Sequence, residues 1–384
     1  LFNHDWELRK SPAGAWQWEP KEIAENKKPV DANNPNKRNN PIMTDADMAM
    51  KMDPIYRDIS LKFMNDQDYF SRTFARAWFK LTHRDLGPKT RYIGPELPKE
   101  DLIWQDPVPE GNKNYDIEKV KQEIKCLNLS ISQRVSVAWC SASSFRNSDL
   151  RGGANGARIR LLPQINWQSN EPDELALILP QYQKISEKFD VSIADIIVLA
   201  GNTAIEEAIE LSGHKVNVPF KSGRGDASSK MTDENSFASL EPIADGFRNW
   251  VKEEVTSNCE EYLLDKAHLL GLTAPQMTVL VGGMRVLEAN YGNSSVGVLT
   301  NRPGKLSNDF FVNILSMDYK WEKVETNKFN LVSRHDNQIK WTASRFDLIF
   351  GSNSILRSYA CLLYTYDDAD EGLGVDLGGR RIIK

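Results

Sequence analysis

Hydrophobic and polar positions follow a helical period over much of this chain, and the pattern changes most sharply at residues 135–167, VSVAWCSASSFRNSDLRGGANGARIRLLPQINW. Val135, Val137 and Trp139 begin this stretch as a buried helix would. Cys140 follows the tryptophan, and a glycine-rich basic loop comes next. A helix that brings one polar side chain into an apolar interior before a glycine loop is typical of an active site, so Cys140 is a candidate for chemistry.

The same period predicts further amphipathic helices over residues 116–127, 172–189, 192–211 and 273–291. The third has a Ser-x-x-Asp cap, and the fourth has Thr-x-x-Gln with Pro275 in its first turn. An aromatic-rich helix is predicted over residues 69–81, and Asp53-Pro54 is typical of another helix start. Because strand signals are few and short, the sequence predicts a mostly α-helical protein.

Composition narrows the class of protein. The chain has 384 residues, 40% of them hydrophobic and 26% charged, which is ordinary for a soluble globular protein. A net charge of −5 gives no reason to expect nucleic acid or anionic lipid as a partner, and no apolar run reaches membrane-spanning length. The four cysteines and five histidines are scattered, so neither a disulfide framework nor a metal-ligand spacing is predicted.

The organisation of the chain is read from its prolines and from a weak repeat. Residues 86–112 contain five prolines and three glycines, so no helix of normal length is expected there and the stretch is interpreted as a linker. Segments near the start resemble segments about 300 residues later in the same order, pairing Trp6 with Trp321 and Asp47 with Asn353. This order favours an internal duplication. The first residue is leucine, which we interpret as a missing N-terminal part.

Several long motifs resemble the haem catalase-peroxidases. They are WELRKSPAGAWQW, DPIYRDIS, KLTHRDLGP, IWQDPVP, SSFRNSDLRGGANGARIRL, EPIADGFRNW and LSNDFFVNIL. The resemblance runs from residue 1 to about residue 357. It implies an all-α haem-peroxidase fold in two tandem domains, haem b in the N-terminal domain only, and a homodimer.

The resemblance also implies domain boundaries. Residues 1–86 are expected to be the end of the haem-bearing domain, residues 87–112 the linker, and residues 113–357 a haem-free second domain. The iron-ligating histidine, the distal residues and the Met-Tyr-Trp adduct are expected upstream of Leu1, so no cofactor-binding residue is assigned. Residues 358–384 depart from the family and are interpreted as non-native, from a frame shift or read-through.

Two functional positions are implied within the chain. Asp47, in MTDADMAMK, matches the proximal aspartate, whose carboxylate orients the iron-ligating histidine and makes it more imidazolate-like. The alternative for Asp47 is a helix N-cap or a surface acid, and Asp45 beside it is expected to be only solvated. Arg84, in THRDLGP, matches the mobile arginine that swings towards and away from the adduct tyrosine with pH. Its alternative is a cation at a helix C-terminus.

The second domain matches the haem-bearing frame but with different residues. Ser136 stands where the distal arginine is expected and Cys140 where the distal histidine is expected. Arg285 stands where the iron ligand is expected, and Asn353 is paired with the proximal aspartate. A guanidinium cannot ligate iron, so this domain is expected to be haem-free.

The glycine loop lacks the Walker Lys-Ser/Thr, so a nucleotide site is not expected. Three large aromatics, Trp6, Trp16 and Trp18, are expected to be core.

The implied activity is breakdown of hydrogen peroxide to water and oxygen, together with peroxide reduction by small one-electron donors, in defence against oxidative stress. A cytoplasmic location is expected, with no nucleic acid or membrane as partner. The alternative is that this polypeptide alone is a haem-free scaffold that supports a haem domain. A third interpretation, a free peroxidatic thiol at Cys140, is weaker because a buried thiol has a raised pKa and is inert.

Overall fold

The computed structural model describes residues 1–89, 92–96, 98–253 and 258–365. They form two compact units, Leu1–His83 and Arg84–Lys384. The first unit contains an antiparallel hairpin and three helices: β1 (Trp6–Lys10), β2 (Trp16–Pro20), α1 (Asp45–Met52), α2 (Pro54–Asn65) and α3 (Gln67–His83). Residues 21–44, between β2 and α1, are largely irregular, as their polar, proline-containing composition predicts.

The helices of the first unit carry apolar side chains on an exposed face. Phe70, Phe74 and Trp78 recur every four residues along α3, so they form a stripe on one side of the helix. Phe74 stacks on Trp78 with ring centroids 6.1 Å apart, yet each of these two side chains is 57% exposed. A continuous apolar stripe of this kind is unusual on the surface of a folded unit.

The three tryptophans near the start have different environments. Trp6 is buried, as predicted, and its ring N–H donates to the carbonyl of Leu1 at 2.8 Å. Trp18 is half-buried. The prediction that Trp16 belongs to the core is wrong, because its side chain is 63% exposed and the ammonium of Lys10 lies 5.1 Å from the ring. At the edge of a two-stranded hairpin, one face of the ribbon has no layer to cover it.

The second unit is built mainly from helices. In chain order they are α4 (Ile117–Lys125), α5 (Ile131–Ala142), α6 (Pro172–Phe189), α7 (Ile193–Leu211), α8 (Glu234–Phe237), α9 (Cys259–Leu269), α10 (Ala274–Val286), α11 (Asp309–Leu315), α12 (Arg345–Ser352) and α13 (Ser354–Thr365). Two small antiparallel sheets accompany them: β3 (Ala244–Asp245) with β4 (Trp250–Val251), and β5 (Tyr319–Glu325), β6 (Lys328–Ser333) and β7 (Ile339–Ala343). The mostly α-helical prediction is confirmed.

The core of the second unit has two main apolar clusters. One joins α10, α11 and α12 through residues such as Val281, Phe310 and Phe346. The other joins α4, α6 and α7 through residues such as Ile178 and Ile196. Helix α5 packs along α7 between these clusters and contributes to both.

The predicted helix boundaries hold best where a cap and a long apolar period coincide. Residues 172–189 form α6 as predicted, and α7 starts after Ser192, whose hydroxyl accepts the backbone N–H of Asp195. Helix α10 instead ends at Val286, short of the predicted residue 291. The reason is local, because Glu288 has a left-handed backbone (φ +56) that a helix does not allow.

The proline-rich stretch belongs to the second unit, and its described residues contact other parts of that unit. Asp106 pairs with Arg151, and Arg158 donates to the carbonyl of Pro107 at 2.9 Å. The contact division falls between His83 and Arg84. The domain boundaries inferred from the sequence stay a prediction.

Helix α13 continues to residue 365, past the point where the resemblance was expected to end. The remaining residues of the predicted non-native tail, 366–384, lie outside the described residues. Within the described part of the chain, no helix is long and apolar enough to cross a membrane.

Candidate functional site

Two helix pairs in the chain have the same construction. Helices α1 and α12 each have eight residues, and each is followed by a helix of twelve residues, α2 and α13. Thr44 is the N-cap of α1 and Ser344 is the N-cap of α12. Each forms a capping box with the aspartate at the third helical position. The backbone therefore supports an internal duplication, in which Asp47 and Asp347 have equivalent positions.

Asp47 serves as the acidic member of its capping box. Its Oδ2 accepts both the backbone N–H and the hydroxyl of Thr44, each at 2.8 Å. These two hydrogen bonds hold the pKa of the Asp47 carboxyl below its usual value, and the bond from the backbone N–H of Thr44 has the larger effect. Asp47 is therefore not the N-cap itself, which is Thr44, but the third helical residue of the capping box, and this leaves the other carboxylate oxygen available for a second role.

Asp47's neighbour Asp45 was expected to be only solvated. That prediction is wrong, because the ring N–H of Trp18 donates to Asp45 Oδ1 at 2.7 Å.

Asp347, the residue equivalent to Asp47, uses its two carboxylate oxygens for different partners. Its Oδ2 accepts the backbone N–H of Ser344 at 2.9 Å, while its Oδ1 accepts the Nε–H of Arg285 at 2.7 Å. Both side chains of the pair are completely buried. Arg285 belongs to α10 and stands where the resemblance places the iron ligand, so the carboxylate at this helix position reaches the proximal ligand position in the second unit.

The pairing of the proximal aspartate with Asn353 is therefore wrong. Asn353 corresponds to Asp53 in the repeat, because each caps the longer helix of its pair. Asp53 Oδ1 accepts the N–H of Ile55 at 2.9 Å, and Asn353 Oδ1 accepts the N–H of Ile355 at 3.0 Å. A better signal was present in the sequence. Ser344-x-x-Asp347 before an apolar run repeats the Thr44-x-x-Asp47 pattern.

The guanidinium of Arg285 donates four hydrogen bonds. Besides Asp347, it donates to the carbonyls of Phe247 at 2.6 Å and Gly246 at 2.8 Å, and to the side chain of Asn290 at 3.2 Å. Arg285 has no lone pair to offer a metal. The position that the resemblance assigns to the iron ligand is therefore occupied by a cation whose charge is paired with Asp347.

The distal side is also closed. Cys140 is buried on α5, and Arg248 Nη1 lies 2.9 Å from its sulfur and 2.7 Å from the carbonyl of Ser169. Burial raises the pKa of the Cys140 thiol to about 11, in the direction expected for a buried thiol, and the inertness of this thiol stays a prediction. Arg248 also pairs with Glu171. Sequence reasoning missed Arg248, since nothing in a helical period indicates which distant side chain will face Cys140.

These residues do not fit a haem in the second unit. A cavity of about 20 Å³ remains beside Ser136, Cys140 and Arg248. That is room for about one water molecule, whereas pockets for drug-sized ligands measure about 300–1,000 Å³. Because Arg285 cannot ligate iron and the cavity beside Cys140 is too small for a porphyrin, the residues at these two positions do not fit a haem.

Arg84 is exposed and begins a single 3-10 turn, Arg84–Leu86, directly after α3 ends at His83. It therefore does lie at a helix C-terminus, where a cation interacts favourably with the helix dipole. Asp47 belongs to the first unit and Arg84 to the second, so the structure describes the two predicted site residues separately. Their assignment as site residues stays a prediction.

Comparison with known proteins identifies what the chain resembles. The family model described as "Peroxidase" matches residues 71–365. The chain is 61% identical over 368 residues to catalase-peroxidase 1 of Vibrio parahaemolyticus serotype O3:K6 (strain RIMD 2210633), covering 96% of this chain and 51% of that protein. It is 60% identical over 371 residues to the catalase-peroxidase of Halorhodospira halophila (strain DSM 244 / SL1), covering 97% of this chain and 51% of that protein. The chain thus spans about half the length of the curated relatives it matches.

Proposed function

The chain belongs to the peroxidase family, and from that membership we propose that the polypeptide of full family length is a catalase-peroxidase. It would break down hydrogen peroxide to water and oxygen and reduce peroxide with small one-electron donors, as a defence against oxidative stress. Identity near 60% to proteins named catalase-peroxidase, over nearly the whole of this chain, supports the proposal. We further propose haem b as cofactor, a homodimer as the assembly and the cytoplasm as the location.

The observation that carries the proposal is the duplicated position of Asp47 and Asp347. In the second unit, Asp347 uses one oxygen for the cap and gives the other to the residue at the iron-ligand position, Arg285. By the same construction, Asp47 would use Oδ2 for Thr44 and Oδ1 for the ring N–H of an iron-ligating histidine. The hydrogen bonds from Thr44 lower the pKa of Asp47 and so favour its carboxylate form, which is the form that accepts a ring N–H and makes the imidazole more basic.

We propose that Arg84 acts as the mobile arginine of the family. Its exposed side chain is free to change its reach, and its guanidinium keeps a positive charge at every physiological pH. A permanent cation stabilises a nearby phenolate without giving up its own proton. Arg84 would therefore change the charge near the oxidation site by moving rather than by titrating.

For the second unit we propose a haem-free supporting role. The support for this second function is the Arg285–Asp347 pair, which fills the proximal position with a cation that cannot ligate iron. The haem-dependent chemistry would then belong to the domain that contains Asp47.

Replacement of Asp47 by asparagine in the full-length enzyme tests the proposed proximal role. Asp47→Asn keeps an oxygen for the Thr44 cap but removes the negative charge, so we expect lower peroxidase turnover and a changed haem absorption spectrum. Asp45→Asn, on the same helix, keeps an oxygen for Trp18 and is the matched control. Unchanged turnover and spectrum in Asp47→Asn would remove the role.

Addition of haem to the 384-residue chain tests the supporting role of the second unit. We expect no sharp Soret band that stays with the protein on gel filtration, and no oxygen evolution from peroxide. A bound Soret band together with oxygen evolution would refute the haem-free proposal.

A further inference from the structure

We propose that a turn formed by residues 146–151 positions Arg84, by seating the backbone that directly follows it. The inference rests on the proposed role of Arg84. In this proposal, Gly87 and the turn hold the backbone of Arg84 in place while its side chain moves. All of these residues lie within the second unit.

The first contact is between Gly87 and the tip of the turn. Gly87 is buried and has a left-handed backbone, φ +71. A Cβ at this position would lie 2.6 Å from the Cβ of Leu150 and 3.2 Å from its carbonyl oxygen. Only glycine allows this approach, because both the conformation and the space exclude a side chain. Since the 3-10 turn Arg84–Leu86 directly precedes Gly87, this contact fixes the backbone of Arg84.

The turn is itself held rigidly. The backbone N–H of Arg146 donates to the carbonyl of Arg151 at 2.9 Å, which closes the turn, and the guanidinium of Arg146 pairs with Asp149 inside it. The N–H of Asn147 donates to the carbonyl of Leu269 at 2.7 Å, which ties the turn to α9. Gly87 therefore rests on a surface that cannot easily yield.

The same turn holds the other end of the proline-rich stretch. Arg151 Nε donates to Asp106 Oδ2 at 2.6 Å and Nη2 donates to Oδ1 at 3.0 Å, in a buried bidentate pair. Paired hydrogen bonds of this geometry fix orientation as well as distance. The proline-rich stretch, residues 86–112, is thus attached to one turn at two points, Gly87 and Asp106.

The consequence is a mobile side chain on a fixed backbone. Arg84 is exposed, so its side chain is free to move, whereas Gly87, three positions later, is buried. A guanidinium that must reach a phenolate in one state and leave it in another needs its Cα to stay in place. Displacing that Cα by about 1 Å would change the reach in both states, and misplacements of this size cost on the order of a hundredfold in activity.

Gly87→Ala tests the inference directly. In the 384-residue chain we expect faster amide hydrogen exchange over residues 84–89. In the full-length enzyme we expect oxygen evolution to fall by on the order of tenfold to a hundredfold. The pH dependence of oxygen evolution should shift, while turnover of one-electron donors changes much less.

Gly304→Ala is the matched control, because Gly304 has a similar backbone (φ +80) but no other atom lies within 4 Å of the point that a Cβ would occupy. Leu150→Gly combined with Gly87→Ala should restore part of the loss, since it removes the nearest clashing atom.

Two further variants make every outcome decisive. If Arg84→Ala leaves the pH profile of oxygen evolution unchanged, the proposed role of Arg84 fails. If Arg84→Ala alters the profile but Gly87→Ala leaves both profile and exchange unchanged, the positioning inference is overturned while the role of Arg84 stands. Should Gly87→Ala fail to fold, Arg151→Lys replaces it, because lysine keeps the charge but loses the bidentate geometry. Unchanged exchange over residues 84–89 and an unchanged pH profile in that variant would also overturn the inference.

Discussion

The buried pair of Arg285 and Asp347 gives the sharpest test of how the second unit is stabilised. Asp347→Asn leaves Arg285 buried with no counter-charge, and the amide cannot serve both the Ser344 cap and the guanidinium in its former way. Both side chains are 0% exposed, so water does not compensate. Removing one partner of a buried ion pair costs about 3–5 kcal/mol, and we expect the free energy of unfolding of this unit to fall by that amount.

Urea unfolding followed by tryptophan emission measures the change. Ser344→Ala is the matched control, because it removes a capping side chain from the same helix and leaves the ion pair in place; we expect it to cost about 1 kcal/mol. Arg285→Met and the double variant complete a thermodynamic cycle, in which contacting residues couple by about 0.5–3 kcal/mol. A cost for Asp347→Asn no larger than that of Ser344→Ala, together with a coupling energy near zero, would refute the reasoning.

Two further predictions concern side chains whose exposure differs. At about pH 7.5 iodoacetamide should label the exposed Cys126 and Cys361 and spare Cys140, whose pKa of about 11 keeps it protonated until the pH approaches that value; peptide mass mapping that finds Cys140 labelled in the folded protein would contradict this. Replacing Phe74 and Trp78 by glutamine should lower the fluorescence of a bound apolar dye and reduce self-association in light scattering, because it removes the exposed stripe on α3; unchanged signals would show that the stripe is not the dye-binding surface.

The sequence predicts the helices of this chain better than the contacts between them. Helices α6 and α7 are recovered because a cap and a long apolar period act within one segment, where the physics is local. Cys140 and Arg248, by contrast, are 108 positions apart, and their contact depends on how the 246–250 segment packs against α5. Periodicity identifies a buried face, but it does not identify what the face contacts.

The candidate site shows the same division. The sequence alignment places Arg285 at the position of the iron ligand, but it pairs Asn353, and not Asp347, with the proximal aspartate, because the two residue types are similar. Asparagine and aspartate both cap helices, so Asn353 resembles Asp47 in type while it shares the position of Asp53. The capping box gives the correct register, since it requires two residues at a fixed spacing and is satisfied at Ser344 and Asp347.

The retained aspartate follows from electrostatics once the iron ligand is replaced. A neutral histidine tolerates burial beside a carboxylate, whereas an arginine at the same buried position brings a charge that costs several kcal/mol unless it is paired. Asp347 supplies that pair from a helix position that the duplication already provides, and the carbonyls of Gly246 and Phe247 and the side chain of Asn290 accept further hydrogen bonds. Loss of either charged partner would leave the other buried alone. Asp347 is therefore a structural requirement of the second unit, because it supplies the counter-charge of a buried arginine that cannot itself ligate iron.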